Sequence, residues 1–252
     1  MKIVSRSPAG DEILSALGLA ATHDALQADV VIMDAGNDEG AGPASARVIM
    51  LNPSTMEDIL QSVLTIGEAT NTVPAAEALV QSLRRRLDRV REAVQHVPHR
   101  PTVAALTQLA PPCACGQWIP EQIEIAGGRS VLGEAGQPAQ PIDWDDVIGS
   151  QAEMVVVMPG ERDIAGSVQA FIDVAELDVW RDLPATYLWQ LYAVDATFFS
   201  RPGPRVVDGV EILAGMIHPH LWPAPGPENA LRVNDVLQTQ MRVDRNRRLR
   251  LE

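Results

Sequence analysis

Apolar residues along this chain change period several times, and each change marks an element. Residues 2–5 are a short β-like run. The stretch SPAGDE then supplies a helix start, with Ser7 as N-cap, Pro8 at the first helical position, and Asp11 and Glu12 in the first turn. The helix ILSALGL stops at Gly18. DVVIM (29–33) and ARVIML (46–51) are short apolar runs of the kind that form buried strands. Between them lies DAGNDEGAGPAS, rich in turn residues. Asn52, Pro53, Ser54 and Thr55 open a helix that reaches about Asn71. In the longest periodic segment, Ala76, Leu79, Leu83, Leu87, Val90 and Val94 recur at intervals of three or four. That spacing predicts a helix over 73–96, roughly 36 Å long at 1.5 Å per residue, which VPHRP ends.

A second α/β series follows. The pattern predicts a strand at 102–108, a loop at 111–116, and a helix at 118–126 ended by Gly127 and Gly128. It then predicts a helix at 142–150 starting near Asp143, a strand at 154–158, and a helix at 163–176. A strand within 188–196 and an amphipathic helix at 208–217 complete the series. PAPGPE (223–228) reads as a linker to a last helix, 229–247. The expected organisation is an N-terminal lobe (1–72), a connecting helix (73–97), a C-terminal lobe (98–222), and a terminal linker and helix (223–252). Strands that alternate with helices imply parallel sheets, and ligands of open α/β sheets bind beyond the carboxyl ends of the strands.

Length and charge narrow the partners. A chain of 252 residues suits one large or two modest domains. A net charge of −13 argues against general nucleic-acid binding. The end, MRVDRNRRLRLE, is the basic exception: a solvated helix end, or a docking tail for an acidic partner. No apolar run approaches the ~18 residues of a membrane span. The opening MKIVSRSPAGDEILSALGL places Asp11 and Glu12 where a signal peptide has its apolar core, so a cytoplasmic protein is expected. The only cysteines, Cys113 and Cys115, stand too close in C-A-C for an easy bridge.

Several stretches carry candidate chemistry, each beside a plainer reading. In FFSRPGPR, Phe198 or Phe199 can stack on a flat ligand while Arg201 binds its anionic edge. Equally, the phenylalanines can pack in the core and Arg205 can meet a carboxylate. In PPCACGQW, Cys113 and Cys115 are either small buried hydrophobes or cleft thiols. A helix N-terminus nearby would lower their pKa and suit a soft metal or nucleophilic attack. Trp118 beside them is a ligand wall or core. Asp34, Asn37, Asp38 and Glu39 form a solvated acidic turn or contact a cation or polar ligand. The backbone N–H groups of SPAGDE, with Ser5 and Ser7, either hold an anion or are simply capped. His218 and His220 read as surface residues, as do His23, His96 and His99. No GxGxxG, Walker A, HExxH or GxSxG stretch occurs, so an enzyme on this scaffold would have to draw on the cysteines with Asp34 or Asp38.

The stretches from PTVAALTQLAPPCACGQWIPEQIEIAGGRS to QAEMVVVMPG, and LYAVDATFFSRPGPRVVDGVEILAGMIHP, resemble the cobalamin-binding, substrate-binding proteins of ABC importers, within the helical backbone metal receptor group. IVSRSPAGDEILSALGL and LNPSTMEDILQSVLTIGEA resemble the family's opening strand and helix and its entry to the long helix. The resemblance covers about residues 1–221. It implies a class III periplasmic-binding-protein-like α/β fold, with two Rossmann-like lobes on one rigid helix and a cobalamin or other metal-chelate ligand between them. Carried over by position, it places Thr197, Phe198, Phe199, Arg201, Trp118 and the loop 113–117 on the ligand wall. The chain departs from the family between Leu19 and Asp29, where only AATHDALQA stands in place of a much longer segment. That segment supplies corrin contacts and a docking acid, so its loss argues against docking on a transporter.

Overall fold

The structure is a computed structural model that describes residues 1–22, 27–36, 43, 45–236 and 239. The described residues divide into two compact units. The first comprises Met1–Arg89 and Arg201–Asp208, the second Val90–Ser200 and the chain from Gly209 onward.

The first unit is built on strands β1 (Ile3–Arg6), β2 (Val30–Asp34) and β3 (Arg47–Leu51), all parallel in the order β1-β2-β3. β2 is buried along almost its whole length, as the central strand of a parallel sheet must be. Helix α1 (Pro8–Ala16) begins as its sequence predicts: the Ser7 hydroxyl accepts from Gly10 N at 3.0 Å, and Pro8 sits in the first turn. Helix α2 (Met56–Ala69) opens with a capping box. Asp58 N donates to Thr55 Oγ1 at 3.1 Å and Thr55 N to the Asp58 carboxylate at 3.0 Å. These bonds hold the Asp58 carboxyl below its ordinary range, Ser54 N–H foremost. Helix α3 (Val73–Val94) buries Ala76, Leu83, Leu87, Val90 and Val94 as the spacing predicts, and Val80 with them. Its residues to Arg89 belong to the first unit and those from Val90 to the second.

The second unit carries a seven-stranded sheet in the order β10-β9-β8-β4-β5-β7, with β6 paired to β4. The strands are β4 (Thr102–Leu109), β5 (Pro112–Ala114), β6 (Arg129–Ser130), β7 (Gln140–Pro141), β8 (Met154–Val157), β9 (Leu191–Val194) and β10 (Ala230–Arg232). β4, β6, β8 and β9 run parallel, and β5, β7 and β10 are antiparallel additions. Around the sheet stand α4 (Ile119–Ile125), α5 (Trp144–Gly149), α6 (Ile164–Ile172), α7 (Pro184–Tyr187), α8 (Thr197–Ser200) and α9 (Val206–Ile217), the last shared with the first unit. One face of the sheet is sealed by an aromatic cluster: Trp180 lies 4.8 Å from Phe171 and 5.3 Å from Trp144, centroid to centroid.

Two expectations are corrected. The predicted loop 111–116 contains strand β5: Pro112 lacks an N–H, yet its carbonyl accepts from Ile142 N at 3.0 Å, so a proline is tolerated there. The predicted helix from residue 229 begins instead as β10, drawn into antiparallel pairing with β9. His218 is a third correction, since it is buried rather than on the surface. Its Nε2 lies 3.1 Å from the Gly127 carbonyl, and burial pushes its pKa down. His96, His99 and His220 are exposed as expected. Asn37, Asp38, Glu39, His23 and the arginine-rich end fall outside the described residues.

Candidate functional site

Three parallel strands of the second unit end side by side, and a pocket opens at those ends. Thr107 comes from the end of β4, Met158 from the residue after β8, and Phe199 and Ser200 from the helix that follows β9. Cys115, Gly116, Gln117, Trp118 and Ile119 close it from the turn between β5 and α4, with Ala139 from across the hairpin. This is the location that open α/β sheets reserve for ligands. Solvent has about 140 Å³ in it. Small-molecule sites measure roughly 300–1,000 Å³, so this pocket seats part of a bulky ligand and not the whole.

Trp118 and Phe199 are only 4% and 1% exposed. They are tied to each other: the indole Nε1 donates to the Phe199 carbonyl at 2.7 Å, across 81 residues of sequence. Gln117 stands in the left-handed region (φ 53°), where a non-glycine residue is costly. Its neighbours hold it there. Gln117 N donates to the Gln137 carbonyl at 2.5 Å, and Gly136 N donates to the Gln117 carbonyl at 3.0 Å. The 133–138 loop thus fixes the backbone of residues 115–117 before any ligand arrives.

The sequence-predicted site residues divide into three groups. Cys115, Trp118 and Phe199 meet at the pocket. Cys113, Thr197 and Phe198 lie in the same unit but do not line it; the Thr197 hydroxyl donates to Asp195 Oδ1 at 2.6 Å and starts α8. Asp34 and Arg201 belong to the first unit. Asp34 Oδ1 accepts from the Ser7 hydroxyl at 2.6 Å, so a carboxylate already faces the start of α1, and an anion is disfavoured there. Thr107, Met158, Ala139 and Ser200 escaped the sequence reading. The signal for Thr107 and Met158 was their place at the ends of apolar strand runs.

Of the two readings of the cysteines, the buried, hydrophobe-like one fits Cys115, and the lowered-pKa reading fits neither. Burial pushes both pKa values up, and Cys113 adds to the effect on Cys115. Cys115 is 3% exposed on the sheet side of the turn, where desolvation outweighs any helix terminus. Both cysteines are free. Among the described residues, no group of three His, Cys, Asp or Glu is placed to hold a metal ion. An enzyme built on these cysteines has no support.

In the first unit, Glu12 of α1 clasps the RPGPR segment. Its Oε1 accepts from Arg205 N at 2.7 Å, and a Cβ on Gly203 would come within 2.7 Å of that carboxylate. Arg86 pairs with Asp208 at the end of the same segment. Burial raises the Glu12 pKa, and nearby Asp208 adds to the rise, while the Arg205 N–H and the charges of Arg205 and Arg201 oppose it. A carboxyl raised in the folded state gives its full stability below its ordinary value of 4.5 and loses it as pH climbs through the folded value. Glu12→Gln keeps the acceptor and removes the charge. At pH 7 it is expected to melt at or above the wild-type temperature. That advantage should fade as pH falls towards 4.5, which thermal melts at pH 7 and pH 4 check. A variant that melts lower than wild type at pH 7 would contradict the reading.

Comparison with known proteins agrees with this architecture. Residues 22–197 match the family model described as periplasmic binding protein. An uncharacterized ABC transporter substrate-binding lipoprotein of Bacillus subtilis, YvrC, is 22% identical over 182 residues, 70% of this chain and 55% of that protein. A cobalamin-binding protein of Halobacterium salinarum is 25% identical over 167 residues, 66% of this chain and 45% of that protein. The chain therefore spans about half the length of the curated relatives it matches. The periplasmic vitamin B12 binding protein BtuF of Vibrio cholerae superposes with a TM-score of 0.66 at 17% identity, over 86% of this chain and 96% of that one. Among the described residues, no helix is long and apolar enough to cross a membrane. The cytoplasmic expectation is overturned by these matches, which are to periplasmic proteins and a lipoprotein; with half the relatives' length in hand, the first residues do not decide a compartment. The match over 22–197, with a two-lobed α/β fold of parallel-rich sheets, shows that the chain belongs to the periplasmic binding protein family.

Proposed function

We propose that the chain captures a bulky, planar metal chelate of the corrinoid type, with Cys115, Trp118 and Phe199 on its wall. The observation that carries this is the pocket at the ends of β4, β8 and β9, whose backbone is fixed in advance. Pre-organisation lowers the ordering cost of binding. The limited volume fits the edge or one arm of a macrocycle, with the body of the ligand lying outside the pocket. The naming of the Halobacterium relative for cobalamin, and of the Vibrio protein for vitamin B12, supports the ligand class. Phe198 and Thr197, beside Phe199 on α8, extend the same wall in this reading. Capture itself does not depend on docking to a transporter.

Calorimetric titration with hydroxocobalamin, dicyanocobinamide and haemin tests this. Saturable one-site heat with at least one corrinoid is the expected result. A folded sample that gives no heat with any of them would remove the proposal.

A further inference from the structure

Among the described residues, the pocket lining carries no charge. Thr107, Gln117 and Ser200 supply its polar side chains, and all three are neutral. Burial keeps the Cys115 thiol protonated, so it adds no anion. Arg201 follows Ser200 directly in sequence, yet it is not among the lining residues, and its charge acts on Glu12 in the first unit. The Ser200 Oγ is buried and has no hydrogen-bond partner among the described residues. Such a hydroxyl is costly until something completes it.

We propose that this pocket accepts an uncharged hydrogen-bonding arm of the ligand, a carboxamide, and rejects the corresponding carboxylate. The inference rests on the capture reading above and sharpens it. A primary amide offers both a donor and an acceptor. A hydroxyl such as that of Ser200 matches either, and the Gln117 amide at the rim can do the same. A carboxylate in this place would lose water and meet no cation among the described lining residues, and burial of an unpaired charge is far more costly than burial of a paired amide. Amide-armed macrocycles are therefore selected over acid-armed ones of the same shape.

A matched pair of corrinoids isolates this effect: dicyanocobinamide, whose arms are amides, and dicyanocobyrinic acid, the same ring with carboxylic arms. Both are titrated into the full chain at 0.1 M and at 1 M NaCl. The protein's net charge of −13 repels the acid at long range, and 1 M salt shortens the screening length to about 3 Å, which removes that contribution. The expected result is that the amide binds about tenfold or more tightly, and that the preference survives at 1 M NaCl. Equal or tighter binding of the acid overturns this inference and leaves capture standing, as does a preference that vanishes in high salt. If neither binds, and hydroxocobalamin and haemin also give no heat, capture falls and takes this inference with it. Ser200→Ala removes the orphan hydroxyl without breaking a known protein contact, so the fold should persist. Its dicyanocobinamide affinity should drop roughly fivefold, with a melting temperature equal to or above that of the wild type. Unchanged affinity would remove Ser200 from the recognition.

Discussion

Gly133→Ala should unfold the second unit at markedly lower temperature and abolish chelate binding together. Gly133 sits at φ 75°, a region that costs an L-residue roughly 1–2 kcal/mol. A Cβ there would lie 1.8 Å from the Cys115 carbonyl oxygen and 2.9 Å from its carbon. Both are backbone atoms, and they cannot retreat cheaply: Cys115 N donates to the Ala105 carbonyl at 3.0 Å, which pins the turn to β4. Forced overpacking costs about 1–3 kcal/mol more. The sum is about 2–5 kcal/mol, which lowers the melting temperature by roughly 10 °C in a chain of this size. Affinity falls because the displaced backbone belongs to residues that line the pocket. Gly149→Ala is the control. Nothing lies within 4 Å of its Cβ position, so that variant should melt at or slightly above the wild-type temperature. A Gly133→Ala protein that melts within ~2 °C of wild type would show that the 133–138 loop does not brace residues 115–117.

That brace was out of reach of the sequence, and the reason is physical. Runs such as DVVIM, TVAALTQ and MVVVM declared themselves as buried parallel strands, because both faces of such a strand must be apolar. Ser7, Thr55 and Asp163 declared helix starts, because a cap is a local bond between neighbours in sequence. β5 and β10 did not: each is only three residues long, too short to show a period, and β10 pairs with β9, far upstream in the chain. The site shows the same division. Trp118 and Phe199 were legible as an aromatic wall, but the bond that joins them crosses 81 residues. Thr107, Met158 and Ser200 become neighbours only when β4, β8 and β9 line up in the sheet. Proximity to a helix start left a lowered thiol pKa open from sequence, but the fold buries Cys115 and half-buries Cys113 at β5, and desolvation moves both upward.

Trp118→Ala is expected to separate two roles that this residue combines. The indole is 4% exposed, so it belongs to the core as well as to the pocket wall. Truncating a buried tryptophan costs about 3–5 kcal/mol. The loss includes the anchor on the Phe199 carbonyl, so α8 and the start of α4 should loosen together. Trp118→Phe keeps an apolar ring but gives up the hydrogen bond and part of the buried ring volume, a smaller loss than alanine's, about 1–3 kcal/mol. If the ring acts chiefly as a brace, affinity measured on folded protein at low temperature should follow stability: a small loss for phenylalanine, and about tenfold or more for alanine. If the indole edge contacts the ligand directly, phenylalanine should already lose most of the affinity while retaining most of the stability. Its shallow exposure favours the first outcome. Thermal melts and calorimetry on the two variants decide between them, and an alanine variant that melts like the wild type would mean that the indole does not belong to this core.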